Sequence, residues 1–238
     1  MNRGATSVAE APPVQLNLLH GFELSVSGRC PVVPLGTQRL LAFVALQPRP
    51  VHRCYVAGTL WPDKPEERAS ANLRSALWRL NGPKTPLVDA SSTHVALAPA
   101  VVVDLQESES VARQVVNGDM VDVVVARAAL LRGDLLPDWY DDWLLLARER
   151  HRQLRLHALE GLSIYHCAAG RFAQAIETGL EAVAAEPLRE SAHRCVIEAH
   201  LAEGNRCEAL RQFRGYQRLM HEQLDDEPSA QLAALVGR

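Results

Sequence analysis

A mainly α fold with a small β component, in two dissimilar parts, is predicted by three features of the sequence. Residues 14–35 alternate apolar and polar side chains as short strands do, and a second pattern of this kind follows at 87–97. Between the two lie three helical patterns separated by prolines. Beyond Val101-Val102-Val103-Asp104 the pattern is almost continuously helical, with breaks at Gly118, Gly133, Pro137, Gly170, Pro187, Gly204 and Pro228.

In chain order, V-Q-L-N-L-L and F-E-L-S-V read as strands. A turn at Ser27-Gly28-Arg29 leads to a further strand, C-P-V-V-P-L. Thr37 is the expected N-cap of an apolar helix, Q-R-L-L-A-F-V-A-L, which Pro48 and Pro50 end. A second helix is expected from about Arg53 to Trp61, stopped by Pro62 and Pro65. A third begins near Glu66 and runs through R-A-S-A-N-L-R-S-A-L-W-R-L to Asn81-Gly82-Pro83. The segment L-V-D-A-S-S-T-H-V-A-L then reads as a hairpin with a polar tip. Strands, three helices and a hairpin follow the order of a winged helix-turn-helix.

The third helix carries the functional signal. At about 100° per residue, Ala69, Leu73, Ala76, Leu77 and Leu80 form one stripe that must face a core. The other side presents Arg68, Ser70, Ala71, Asn72, Arg74, Ser75, Trp78 and Arg79. Arginine can make paired hydrogen bonds with guanine and asparagine with adenine, while small Ala and Ser side chains allow close approach to a major groove. Trp78 suits either a thymine methyl or a place beneath the wing, and the pattern leaves both open. An amphipathic solvent-facing helix with a few arginines would look similar in isolation. The preceding helix, the intervening prolines and the following hairpin favour DNA. The hairpin tip, Ser91, Ser92, Thr93 and His94, offers hydrogen-bonding groups for phosphates, and His52 and Arg53 are candidates for backbone contacts at the second helix.

The remainder of the chain contains an internal repeat. A-A-G-R-F-A-Q-A-I at 168–176 aligns with A-E-G-N-R-C-E-A-L at 202–210, an offset of 34 residues that equals the tetratricopeptide period. Gly170 and Gly204 take the turns, and Ala175 and Ala209 are small where paired helices approach. Pro187 closes the first repeat, and His221 stands at the corresponding place in the second. The expected organisation is a disordered lead at 1–13, a winged helix at 14–100 and an all-α tetratricopeptide-like repeat domain at 101–238. Such repeats present grooves to other proteins.

Composition excludes several classes. At 238 residues, 47% apolar and 22% charged, the chain is of globular type. No apolar run approaches the roughly 18–20 residues of a membrane span, and Met1 to Ala11 lacks the apolar core of a signal peptide, so a cytoplasmic protein is expected. The five cysteines, an odd number without CxxC spacing, and the scattered histidines suggest neither a disulfide framework nor a metal site. His193, Cys195 and His200 come nearest to a cluster and read as packing residues. No catalytic constellation, nucleotide loop or cofactor motif is present, so no enzyme activity and no cofactor are expected. The net charge of −3 divides at residue 103 into +4 and −7, which suggests an electropositive reader beside an acidic partner domain.

The residues also resemble a family. L-G-T-Q-R-L-L-A-F, L-W-P-D-K-P and R-A-S-A-N-L-R-S-A-L-W-R-L are similar to the OmpR-like winged helix of the SARP-type antibiotic regulatory proteins. L-L-R-G-D-L-L-P-D-W, E-P-L-R-E, A-E-G-N-R-C-E-A-L and D-D-E-P-S-A-Q-L resemble that family's bacterial transcriptional activation domain. The resemblance spans roughly residues 14–237. It implies an activator of secondary-metabolite genes that binds direct repeats in double-stranded promoter DNA as a dimer. It further implies recruitment of RNA polymerase through its sigma factor and alpha subunit, with Trp61, Pro62, Asp63, Lys64 and Pro65 available to the polymerase. Without a Walker-type loop, the chain looks like a small member lacking an ATPase portion. Two places depart from the pattern: a Gly-Tyr pair usual in the wing is here Thr93-His94-Val95, and a Leu-Gly-Ile-Asp-Pro near the end is Leu224-Asp225-Asp226-Glu227-Pro228. The residues themselves are also compatible with a repressor, or with a repeat-domain adaptor whose winged helix meets protein.

Overall fold

The computed structural model describes residues 14–80, 86–119, 125 and 127–237. The expected disordered lead and the helix stop at Asn81-Gly82-Pro83 lie outside them. Two compact units form. One contains the residues up to Gln106 together with Gly133–Ala147, and the other contains Glu107–Arg132 and Arg148 onward.

In the first unit, β1 (Val14–Asn17) pairs antiparallel with β2 (Glu23–Val26), Leu16 opposite Leu24. The strand expected at 30–35 does not form; after an isolated bridge between Val26 and Arg29 the chain runs irregularly, with Val32 99% exposed. Pro31 and Pro34 remove the donors a ladder would need. Helix α1 (Leu35–Ala45) therefore starts three residues earlier than expected, behind Pro34, and Thr37 is a buried first-turn residue instead of the cap. Strand β3 (Val51–His52) leads directly into α2 (Arg53–Leu60), followed by α3 (Glu66–Leu80). Strands β4 (Val88–Ala90) and β5 (His94–Leu97) form the expected hairpin, and β3 adds to its edge in the order β3-β5-β4.

Strand β6 (Val101–Val103) falls in the stretch assigned by sequence to the helical domain. It pairs parallel with β1, Leu16 opposite Val103, and completes a sheet in the order β2-β1-β6. Helix α4 (Asp104–Val116) begins immediately after it. The Asp104 carboxylate caps this helix through the Leu105 amide (2.7 Å) and also accepts the Leu18 (2.8 Å) and Leu19 (3.0 Å) amides. Residues 133–147 return to the same core. The Leu136 amide donates to Leu18 O (2.8 Å) and the His20 amide to Asp134 O (3.0 Å). Leu135, Leu136 and Leu144 are buried with Leu16, Leu40 and Leu60 in one cluster. Trp143 meets Phe43 edge-on at 5.3 Å, and Arg39 of α1 forms an ion pair with Asp141.

The second unit is helical. A 3-10 turn at Ala128–Leu131 precedes α5 (Asp142–Ala168), whose residues from Arg148 onward belong here. The helices α6 (Phe172–Ala185), α7 (Glu190–Glu203), α8 (Arg206–Leu224) and α9 (Ala230–Val236) follow. The 34-residue repeat corresponds to the pairs α5/α6 and α7/α8. Gly170 and Gly204 sit in their turns at φ 69° and 90°, where other residues are strained. Ala175 and Ala209 are fully buried. Gly179 marks a further close approach: a Cβ there would lie 2.8 Å from Val196 Cγ2. With no proline at His221, α8 continues past that position to Leu224.

His193 is buried and stacked on Tyr216 at 4.2 Å. Burial lowers its pKa, and the neutral ring satisfies both neighbours: Nε2–H donates to Pro187 O (2.9 Å) and Nδ1 accepts from Gln212 (3.0 Å). Burial pushes the nearby Cys195 thiol up to about 12. Among the described residues no group of three His, Cys, Asp or Glu is placed to hold a metal.

Two outcomes follow for stability. Leu136→Ala should cost about 2–5 kcal/mol in denaturant unfolding; wild-type stability would mean that the returning segment does not build the core. His193, and His166 whose pKa burial also lowers, are neutral when folded and take up protons on unfolding. Stability should therefore fall as pH drops below the ordinary histidine value of about 6.5. His193→Gln should shrink the difference in unfolding free energy between pH 7.5 and 5.5; an unchanged difference would remove His193 from the linkage.

Candidate nucleic-acid interface

Helix α3 is set up by its own first turn. The Arg68 and Ala69 amides both donate to Pro65 O at 2.9 Å, and Glu66 and Glu67 place negative charge where the helix dipole favours it. The buried residues of α3 are Ala69, Leu73, Ala76, Leu77 and Leu80, the stripe that the wheel predicts. Its other side is open. Arg68, Arg74, Ser75, Trp78 and Arg79 are exposed, and Ser70, Ala71 and Asn72 are half-buried.

The guanidiniums of Arg68, Arg74 and Arg79 have no ion pair or hydrogen bond among the described residues. Several arginines of the second unit are instead matched to carboxylates. Arg132 meets Glu181 at 2.6 Å, Arg189 meets Glu160 at 2.7 Å, Arg194 meets Glu190 at 3.2 Å and Arg211 meets Glu208 at 2.7 Å. The bond and charge of Arg189 hold the Glu160 carboxyl below its ordinary range, although burial pushes the other way. Guanidiniums matched in this way have little attraction left for a phosphate. Those on α3 keep theirs.

This placement matters because the charge division at residue 103 does not survive folding. The first unit, counted over Met1–Gln106 and Gly133–Ala147, holds 10 Lys/Arg and 11 Asp/Glu, a balance of −1. Asp134, Asp138, Asp141 and Asp142 arrive with the returning segment. The unit is not electropositive as a whole; three of its ten Lys/Arg, Arg68, Arg74 and Arg79, lie on α3.

The wing and the start of α2 form one ledge. Pairing of β3 with β5 sets His52 opposite His94, their rings edge to face at 5.3 Å. The Arg53 amide donates to Thr93 O (2.8 Å), and its guanidinium Nη1 donates to Ser91 O (2.9 Å). The tip is closed by Ser91 Oγ, which accepts from the amides of Thr93 (3.2 Å) and His94 (2.9 Å). Thr93 Oγ1 and His94 Nδ1 share a 2.9 Å hydrogen bond. His52, Arg53, Ser91, Thr93 and His94 are thus brought together, and Ser92 is exposed at the tip. Arg53 and Ser91 already hold the wing, so their first role is positional. Sequence reading missed β3, because two residues between Pro50 and a helix are too short to show alternation.

The loop after α2 divides. Trp61 is half-buried against the core and caps α2, while Pro62, Asp63, Lys64 and Pro65 are exposed. The Lys64 amide donates to Trp61 O (3.1 Å), which folds the loop back as a turn.

Residues 103–238 match the family model described as bacterial transcriptional activator domain. No curated protein matches the chain. Among solved structures, the chain is similar to Mycobacterium tuberculosis EmbR in complex with a low affinity phosphopeptide. The TM-score is 0.71 and the identity 19%, over 95% of this chain and 64% of that one. The chain therefore spans less than two thirds of that structure, and at this identity the likeness is one of fold.

Arg53→Ala should loosen the wing without unfolding the unit. Amide exchange at Thr93 and His94 should accelerate while the melting temperature stays near wild type. Unchanged exchange would show that the guanidinium does not hold the tip.

Proposed function

We propose that this chain, which belongs to the bacterial transcriptional activator domain family as its resemblance to the SARP-type regulators anticipates, is a sequence-specific DNA-binding transcriptional activator. The observation that carries the reading is the set of three arginines, Arg68, Arg74 and Arg79, whose guanidiniums are unpaired among the described residues, around an outward helix face whose opposite stripe is fully packed. A helix held in this way can enter a major groove as a rigid element, with Arg74 and Asn72 offered to base edges and Arg68 and Arg79 to either side. The wing ledge of His52, Arg53, Ser91, Ser92, Thr93 and His94 then takes the phosphate backbone.

The finer reading follows the family resemblance. The regulated genes are those of a secondary-metabolite pathway, the operator is a pair of direct repeats, and two copies bind side by side. The exposed Pro62-Asp63-Lys64-Pro65 turn, braced by Trp61, is the surface offered to the sigma factor and alpha subunit of RNA polymerase. The repeat unit supplies protein contacts. No catalytic role, metal or cofactor is part of this reading.

A second reading, a repeat-domain adaptor whose winged helix meets protein, is favoured by the near-neutral balance of the first unit. Salt separates the two. Each phosphate contact contributes about −0.9 to the slope of log affinity against log salt. Fluorescence anisotropy on promoter fragments against scrambled DNA should therefore show a preference that weakens steeply as salt rises. No preference at any salt would leave the adaptor. Arg74→Ala should weaken specific binding by about 1–3 kcal/mol and relax selectivity at one base pair. Unchanged operator affinity would remove that face of α3 from the groove.

A further inference from the structure

Trp78 stands at the centre of the open side of α3, one turn beyond Arg74 and three residues beyond Ser75. Its side chain is 81% exposed, whereas Leu77 beside it is 5% exposed. Among the described residues no aromatic ring or cation is stacked on it. Such exposure rules out packing beneath the wing, the second of the two roles its sequence position allows. What is left is the largest apolar surface on the face, flanked by the guanidiniums of Arg74 and Arg79.

A major groove presents a single kind of apolar group, the C5-methyl of thymine, and it lies next to the O4 acceptor of the same base. Indole offers the complement: an apolar ring with one N–H donor and no acceptor. Guanine shows two acceptors in the groove, cytosine a donor, and adenine an acceptor with a donor; none of them offers a methyl. Along α3 the step from Arg74 to Trp78 is about 6 Å. That distance is within two base-pair steps of about 3.4 Å.

We propose that Trp78 is a specificity-determining residue that closes on the C5-methyl of a thymine within two base pairs of the position met by Arg74. The assignment rests on α3 being the recognition helix. It makes selectivity at that operator position depend on an apolar contact instead of a charged one.

The test uses the full chain and a duplex enriched from a random pool, with affinity measured on that duplex and on copies carrying single thymine-to-deoxyuridine replacements. Deoxyuridine keeps the pairing and O4 and removes only the methyl. Wild type should lose about fourfold in affinity at one or two positions, the effect of burying one such group. Trp78→Ala should bind the thymine duplex more weakly and be indifferent to deoxyuridine at those positions. Trp78→Phe, which keeps an apolar ring, should retain the sensitivity. Because Trp78 is exposed, the thermal melt of both variants should match wild type. Indifference of wild type at every thymine, or equal sensitivity in Trp78→Ala, overturns the assignment while leaving the DNA reader standing. Failure to enrich any duplex overturns the DNA reader and this assignment together.

Discussion

The backbone of Leu18 is the constraint around which the first unit is assembled. Leu18 is completely buried, so its amide and carbonyl must find partners inside the protein. The amide is taken by Asp104 at the end of β6 and the carbonyl by Leu136 of the returning segment. Two stretches of chain far apart in sequence are thereby pinned to the end of β1. Asp104 sets the parallel register of β6 and starts α4 with the same carboxylate. Leu136 brings Trp139 and Trp143 with it; Trp139 stacks on Phe22, and Trp143 meets Phe43 edge-on. Helix α1 is then held from both sides, and α3 packs on it. The open face of α3 owes its position to hydrogen bonds made well away from it.

That dependence gives the motif around 132–139 a physical meaning. In Arg132-Gly133-Asp134-Leu135-Leu136, Gly133 adopts φ 106°, and a Cβ there would meet the His20 ring at 2.5 Å. Arg132 belongs to the second unit, where it pairs with Glu177 and Glu181. Within two residues the chain passes from an ion-paired helical surface to the core of the other unit. Glycine serves here for both its conformation and its lack of bulk.

Charge acts through placement. With a balance of −1, the first unit has no overall field to attract DNA, yet the open side of α3 gathers three arginines whose guanidiniums have no partner among the described residues. The acidic residues of the unit lie elsewhere: Glu66 and Glu67 at the start of α3, and Asp104 and Asp141 in contacts that hold the core. In the second unit several arginines, among them Arg132, Arg152, Arg189, Arg194 and Arg211, are matched to glutamates, and exposed pairs of this kind contribute little to stability.

Local pattern determined much of this protein. The five-residue stripe of α3, the limits of α2, the start of α3, the 88–97 hairpin, and the glycine turns of the 34-residue repeat all follow from periodicity and turn chemistry acting over a few residues. Tertiary structure decided what those rules cannot reach. Val101–Val103 joined β1 because a parallel partner is selected across the fold, and residues 133–147 joined the first unit because Leu18 needed a buried donor. Thr37 lost its capping role because Pro34 starts the helix earlier. The state of each arginine was also decided there: whether a guanidinium is free or matched depends on which carboxylate the fold sets beside it, and that distance is absent from the order of residues along the chain.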